Sequence, residues 1–234
     1  METNPIANLN TRSVCSHLVA ALWVLLVLLA ACDNDKALDD ALINYRLDIV
    51  TYAGTTDGAA TFDYYGRGDS LPVTLLTTWT HDVGAKVGQR VLLRYGLDAM
   101  PAGGTASVKA YGISAIVSDT LRVSSLAPDI MGDDPVRLRS LWRTGPFLNV
   151  RCEVEYTGQH HRFGLVAEDA TLDGDTVVCH LIHSLGGFTA MQWRELYGSF
   201  LIDEVIAGRP CRVLRVEVDN DVVRPTTTTY DFEL

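Results

Sequence analysis

From Tyr45 onward, apolar and polar residues alternate with a period of two, the pattern of strands with one buried face. Tyr45, Leu47 and Ile49 alternate with Arg46 and Asp48, and a turn-rich run, Gly54-Thr55-Thr56-Asp57-Gly58, follows. Leu71, Val73 and Leu75 share a face, with Pro72 marking a sheet edge or a strand start. Val91, Leu93, Tyr95 and Leu97 form the clearest alternation in this region, with Arg90 and Arg94 on the opposite face. From Ser107 to Ser118 the apolar parity switches at Gly112. Val108 and Ala110 precede the glycine, whereas Ile113, Ala115 and Val117 follow it on the other face. A glycine at such a switch suits a bulge or a barrel corner.

A second set of strands follows Pro128 to Pro135, a stretch that reads as a domain boundary. Leu148, Val150, Cys152, Val154 and Tyr156 alternate with Asn149, Arg151, Glu153 and Glu155, which predicts a half-exposed strand. Phe163, Leu165 and Ala167 predict the next. Thr176 to His183 is apolar on both faces and so belongs in the middle of a sheet. Only Ala190 to Tyr197 has a helical look. Tyr197–Ile206, Cys211–Asp219 and Tyr230–Leu234 complete the series, and Thr226–Thr229 is β-prone edge sequence. The chain is therefore expected to be all-β: an N-terminal OB-like barrel over 44–127, then a C-terminal β-sandwich over 128–234.

The N-terminal part follows another rule. Leu18 to Cys32 is an uncharged, mostly apolar run that ends in the polar sequence Asp33-Asn34-Asp35-Lys36. It is too short to span a bilayer comfortably but fits the apolar core of a secretory signal. Leu29-Ala30-Ala31-Cys32 resembles the bacterial lipobox, in which the Cys thiol takes lipid before cleavage just ahead of it. Residues 1–31 thus read as a lipoprotein signal peptide, Cys32 as the lipid attachment site, and 32–43 as an acidic tether.

Charge narrows the partners. The chain carries 29 acidic against 19 basic residues and a net charge of −10, and removing 1–31 takes away only Glu2 and Arg12. An acidic surface repels phosphate backbones, so nucleic acid is excluded as a natural partner. Membrane affinity must come from the lipid rather than from a basic patch. Of the cysteines beyond Cys32, Cys152, Cys179 and Cys211 form no Cys-x-x-Cys pair. One bridge plus a free thiol is one arrangement; three buried thiols acting as small apolar residues is the expected one.

No catalytic or metal site stands out, and no cofactor beyond the covalent lipid is expected. His180 and His183 fall on opposite faces of a strand, and the adjacent His160-His161 reads as a solvent-facing hairpin tip. His81 completes the imidazoles of the mature chain. No Gly-x-Ser-x-Gly elbow occurs, and Leu185-Gly186-Gly187-Phe188 lacks the helix and lysine of a phosphate loop. The candidate ligand-binding residues are Tyr64, Tyr65, Arg67 and Trp79, in the irregular region between early barrel strands. Aromatic rings beside arginine are common binding anchors, although packing within the barrel core and its loops is the reading that these residues favour.

Taken in order, the signal ending LLAACDND, then NYRLDIVTYAG, GQRVLLRYGL, VKAYGISAI and HRFGLVAE, resembles the NigD-like lipoproteins over essentially the whole chain. The resemblance implies a lipoprotein signal, an OB-like domain and a β-sandwich domain, a Bacteroidetes source and an envelope location. An outer-membrane lipoprotein is expected, and the acidic cluster after Cys32 resembles the surface-export signals of Bacteroidetes lipoproteins. It implies no reaction. The family name derives from a bacteriocin operon, which suggests an immunity or accessory role. The function expected is a non-catalytic, lipid-anchored module that binds an envelope protein or a glycan. The alternative is a hydrolase or metal-dependent enzyme, which a pocket gathering His183, an acid and a thiol would favour.

Overall fold

The computed structural model describes residues 45–68, 71–78, 83–96, 103–126, 132, 134–156, 158, 161–187, 192–221 and 225–234. Cys32, Trp79, His81 and His160, with the signal and the tether, lie outside the described residues. Six strands form the first sheet: β1 (Tyr45–Thr56), β2 (Ala59–Tyr64), β3 (Val73–Thr78), β4 (Arg90–Gly96), β5 (Thr105–Ser107) and β6 (Lys109–Ala115). Then come β7 (Val117–Thr120), β8 (Arg122–Val123), β9 (Arg137–Thr144), β10 (Phe147–Tyr156), β11 (Arg162–Ala167) and β12 (Thr176–Ser184). The chain closes with β13 (Gln192–Leu201), the short helix α1 (Asp203–Ile206), β14 (Val213–Asp221) and β15 (Pro225–Glu233). The fold is all-β, as the alternation predicts.

The first sheet runs in the order β5-β3-β2-β1-β4-β6. Val50, Phe62, Leu75, Leu93 and Tyr95 meet inside it and are fully buried. The sequence predicts closure into a barrel, and here the structure differs: among the described residues, no ladder joins the two edge strands. β5 and β6 are consecutive in the chain, separated by Val108, whose N–H donates to Leu76 O (2.8 Å). Segment 105–115 therefore leaves β3 and moves onto β4, so the sheet curls without becoming continuous. The parity switch at Gly112 is a bulge: Arg94 pairs with Gly112 and Tyr95 with Ala110, leaving Tyr111 unpaired.

The other two sheets, β7-β13-β10-β9 and β15-β14-β12-β11-β8, face each other as a sandwich. Leu148, Val150, Cys152 and Val154 of β10 meet Val177, Cys179 and Leu181 of β12 and Leu214, Val216 and Val218 of β14. β12 is central in its sheet, but only one of its faces is buried: Val177, Cys179, Leu181 and His183 point inward, while Val178, His180 and Ile182 are half-exposed. β7 and β8 lie upstream of the boundary read at Pro128–Pro135, yet they pair in parallel with β13 and β11 of the sandwich.

Two local readings change. The described part of the stretch with a helical look, from Gln192 to Tyr197, is strand: β13 pairs with β10 along its whole length, Tyr156↔Gln192 through Phe147↔Leu201. Its helix-favouring residues yield to the cross-strand partners that β10 offers. β9 has no counterpart in the sequence reading. A register shift at Arg151/Cys152 places both Leu138 and Leu141 against the core, which erases the period of two.

Candidate functional site

The two halves of the described chain are pinned together by Arg90. Sequence parity puts Arg90 on the exposed face of β4, but it is only 2% exposed, because β10 and β13 lie over that face. Its guanidinium donates to Ser199 Oγ (3.0 Å), Thr51 Oγ1 (3.0 Å), Ile49 O (3.1 Å) and Asn149 Oδ1 (3.3 Å). The planar group also lies 4.1 Å over the ring of Phe147. Ser199 Oγ donates in turn to Asn149 Oδ1 (2.8 Å), and Asn149 Nδ2 to Thr144 Oγ1 (2.8 Å). Burial lowers the Arg90 pKa to about 9, so it remains a cation at neutral pH. All of these acceptors are uncharged.

Next to this pin the facing surfaces part, leaving a cleft of about 380 Å³. Leu47, Asp48, Ile49, Tyr64, Tyr65, Arg67 and Leu92 line it from the first sheet and its loops. Ser140, Trp142 and Thr144 of β9, Arg151 of β10 and Tyr197 of β13 form the opposite wall. Thus three of the four candidate residues come together: Tyr64 ends β2, and Tyr65 and Arg67 follow it. Trp142, Tyr197 and Arg151 are additions that the sequence did not single out. Arg151 had a signal in the polar face of the β10 alternation, which gave no hint of what would cover it, whereas Trp142 on β9 and Tyr197 on β13 had none.

The charges in the cleft are largely committed. Asp48 Oδ2 accepts from Tyr95 OH (2.8 Å) and faces Arg46 Nε (3.5 Å). Burial, reinforced by Asp48, pushes the Tyr95 phenol well above its ordinary range. Arg151 is paired with Glu195 (2.6 Å), whose hydrogen bond holds the guanidinium above its usual value. Arg67 is exposed. Tyr65 packs edge-on against Phe147 at 5.8 Å, next to the Arg90 cation.

The histidines lie elsewhere. His180 contacts Glu168 (2.7 Å) and Glu217 (3.6 Å) on the exposed face of β12, while His183, on the opposite face, is 1% exposed. His161 is half-buried rather than solvent-facing, with Nδ1 3.2 Å from His183 Nε2. Burial lowers both pKa values, and the neighbouring His161 lowers that of His183 further. Cys152 and Cys179 are fully buried in the sandwich core, and burial raises the Cys152 thiol to about 12 and Cys179 higher still. Cys211 departs from the expectation. It is half-buried at the core edge, its S–H directed to Val213 O (3.2 Å), because it precedes β14. The three thiols are unbridged. Among the described residues, no group of three or more His, Cys, Asp or Glu is placed to hold a metal ion. No helix among them is long and apolar enough to cross a membrane.

No family model and no curated protein matches the chain. Solved structures do. A Bacteroides vulgatus protein of unknown function superposes with a TM-score of 0.62 at 17% identity, covering 82% of this chain and 91% of that one. A candidate lipoprotein from Bacteroides fragilis gives 0.60 at 11% identity, with 81% and 98% covered. A NigD-like immunity protein from Bacteroides caccae gives 0.60 at 22% identity, with 80% and 96% covered. The chain thus shares its fold with a NigD-like protein.

Proposed function

We propose that the chain is a lipid-anchored, non-catalytic protein of the cell envelope whose cleft binds a glycan. The observation that carries this reading is the cleft itself, where Tyr64, Tyr65, Trp142 and Tyr197 stand among polar groups in a concavity of about 380 Å³. Aromatic faces cover the apolar side of a sugar ring, and the flanking hydroxyl and charged groups orient its hydroxyls. The non-catalytic reading is supported by the chemistry of the lining. Asp48 is held by Tyr95 and Arg46, and neither imidazole nor thiol lines the cleft. The lipid on Cys32, the absence of nucleic acid among its partners and an outer-membrane location belong to the same proposal. The immunity role named for the Bacteroides caccae protein is a second reading, in which the cleft would seat a protein.

The test is direct binding of neutral and acidic oligosaccharides to the full chain in detergent. Trp142→Ala with Tyr197→Ala should weaken binding at least tenfold, as loss of aromatic anchors does. Unchanged binding in that variant, or binding to no glycan but to a protein, would reject the glycan reading. For the anchor, Cys32→Ser should leave the protein uncleaved or soluble. A membrane-bound Cys32→Ser protein of mature size would overturn the lipid assignment.

A further inference from the structure

Every charge at the cleft can be assigned a partner except on one side of the balance. Asp48 is offset by Arg46 and hydrogen-bonded by Tyr95 OH, and Arg151 is offset by Glu195. Two cations remain. Arg67 lines the cleft with its side chain exposed and makes no ion pair or hydrogen bond with the described residues. Arg90 lies behind the wall, 2% exposed, with Ser199, Thr51, Ile49 and Asn149 as uncharged acceptors and no carboxylate among them.

Position makes this excess effective. Ile49 and Thr144 line the cleft and belong to the same network, since Ile49 O accepts from Arg90 and Thr144 Oγ1 from Asn149. Tyr65 also lines the cleft and stands beside the Arg90 cation. A charge buried in a poorly polarisable interior is screened far less than one in water, so its field reaches the adjacent cavity. A net positive cleft in a chain of net charge −10 runs against the surface average.

We infer that the cleft selects an anionic ligand, a sugar bearing a carboxylate, with Arg67 as the residue that contacts the carboxylate and Arg90 as a fixed background charge. The inference rests on the glycan reading above and adds the ligand's charge. The aromatic rings at the cleft hold the ring of a uronic acid, and the Arg67 guanidinium presents a two-pronged donor that matches a carboxylate.

The experiment is calorimetric titration of the full chain in detergent with a glucuronic acid oligomer and with a glucose oligomer of the same length. The acidic oligomer should bind about tenfold tighter, the scale of one charge-assisted hydrogen bond. Arg67→Gln should remove most of that preference by weakening the acidic oligomer far more than the neutral one, and added salt should weaken the acidic oligomer more than the neutral one. Equal affinity for the two oligomers would overturn the charge inference yet leave glycan binding in place. A preference that survives Arg67→Gln would reject Arg67 as the contact. Binding of neither oligomer would reject the glycan reading together with the inference.

Discussion

Arg90 Nε donates to Ser199 Oγ over 3.0 Å, joining β4 to β13 across 109 positions of sequence. Around this bond an unpaired cation is satisfied entirely by hydroxyl, amide and carbonyl oxygens. Its removal would leave the buried Ser199, Asn149 and Ile49 carbonyl, and the half-buried Thr51, without that donor. Arg90→Ala should therefore cost about 3 kcal/mol, the scale of a broken buried network. Arg90→Lys keeps the charge but loses the fork, and should recover only part of the loss. Urea unfolding measures both. An unchanged midpoint in Arg90→Ala would show that the network contributes nothing net.

The buried thiols give a second expectation. Cys152 and Cys179 replace no polar contact and are held protonated by burial. Native protein should therefore leave both unmodified by a thiol reagent, while Cys211, half-buried at the sandwich edge, reacts slowly. Cys152→Ala should cost about 1 kcal/mol, a usual value for a single core substitution. Mass spectrometry before and after denaturation separates the sites, and rapid native labelling of Cys152 would contradict the packing.

Much of this architecture was legible in the sequence because alternation reports directly on one buried face. β10 and β12 follow from Leu148–Tyr156 and Thr176–His183, and the bulge follows from the parity switch at Gly112. What alternation does not report is a second burial. Arg90, Asn149 and Ser199 occupy polar positions, and they are buried because another sheet lies over them. The same covering turns Tyr65, Trp142 and Tyr197 into one cleft from three distant segments. Helix propensity misled at Gln192–Tyr197 because the pairing with β10 outweighs it, and β9 was hidden because its bulge cancels the period.

The His161–His183 pair makes stability depend on pH in a defined direction. Burial lowers both imidazoles below the ordinary value of 6.5, with Asp134 opposing the shift. As pH falls through about 6.5, the unfolded chain takes up protons that the folded chain still refuses, so stability declines. Above that value the contribution is fully present. His183→Phe should flatten the fall in stability between pH 7 and pH 5, whatever it does to the value at pH 7. Urea unfolding at the two pH values tests this, and an equal fall in both proteins would remove the pair from the acid response.

Gly145 sets the position of the Tyr65 ring. It lies in the turn between β9 and β10 at φ +50°, where a side chain is disfavoured, and a Cβ there would overlap the Tyr65 ring. Gly145→Ala must therefore adopt a strained backbone and also push Tyr65 from its edge-on contact with Phe147. Together these should cost about 2 kcal/mol, with the backbone supplying roughly half. Since Tyr65 lines the cleft, the same change should weaken ligand binding. Tyr65→Ala removes the obstacle, so adding Gly145→Ala to it should cost only the backbone share. A double-mutant cycle on unfolding free energies reads the coupling between the two positions. Strict additivity would mean that the ring and the turn do not touch in solution, and that Gly145 serves the backbone alone.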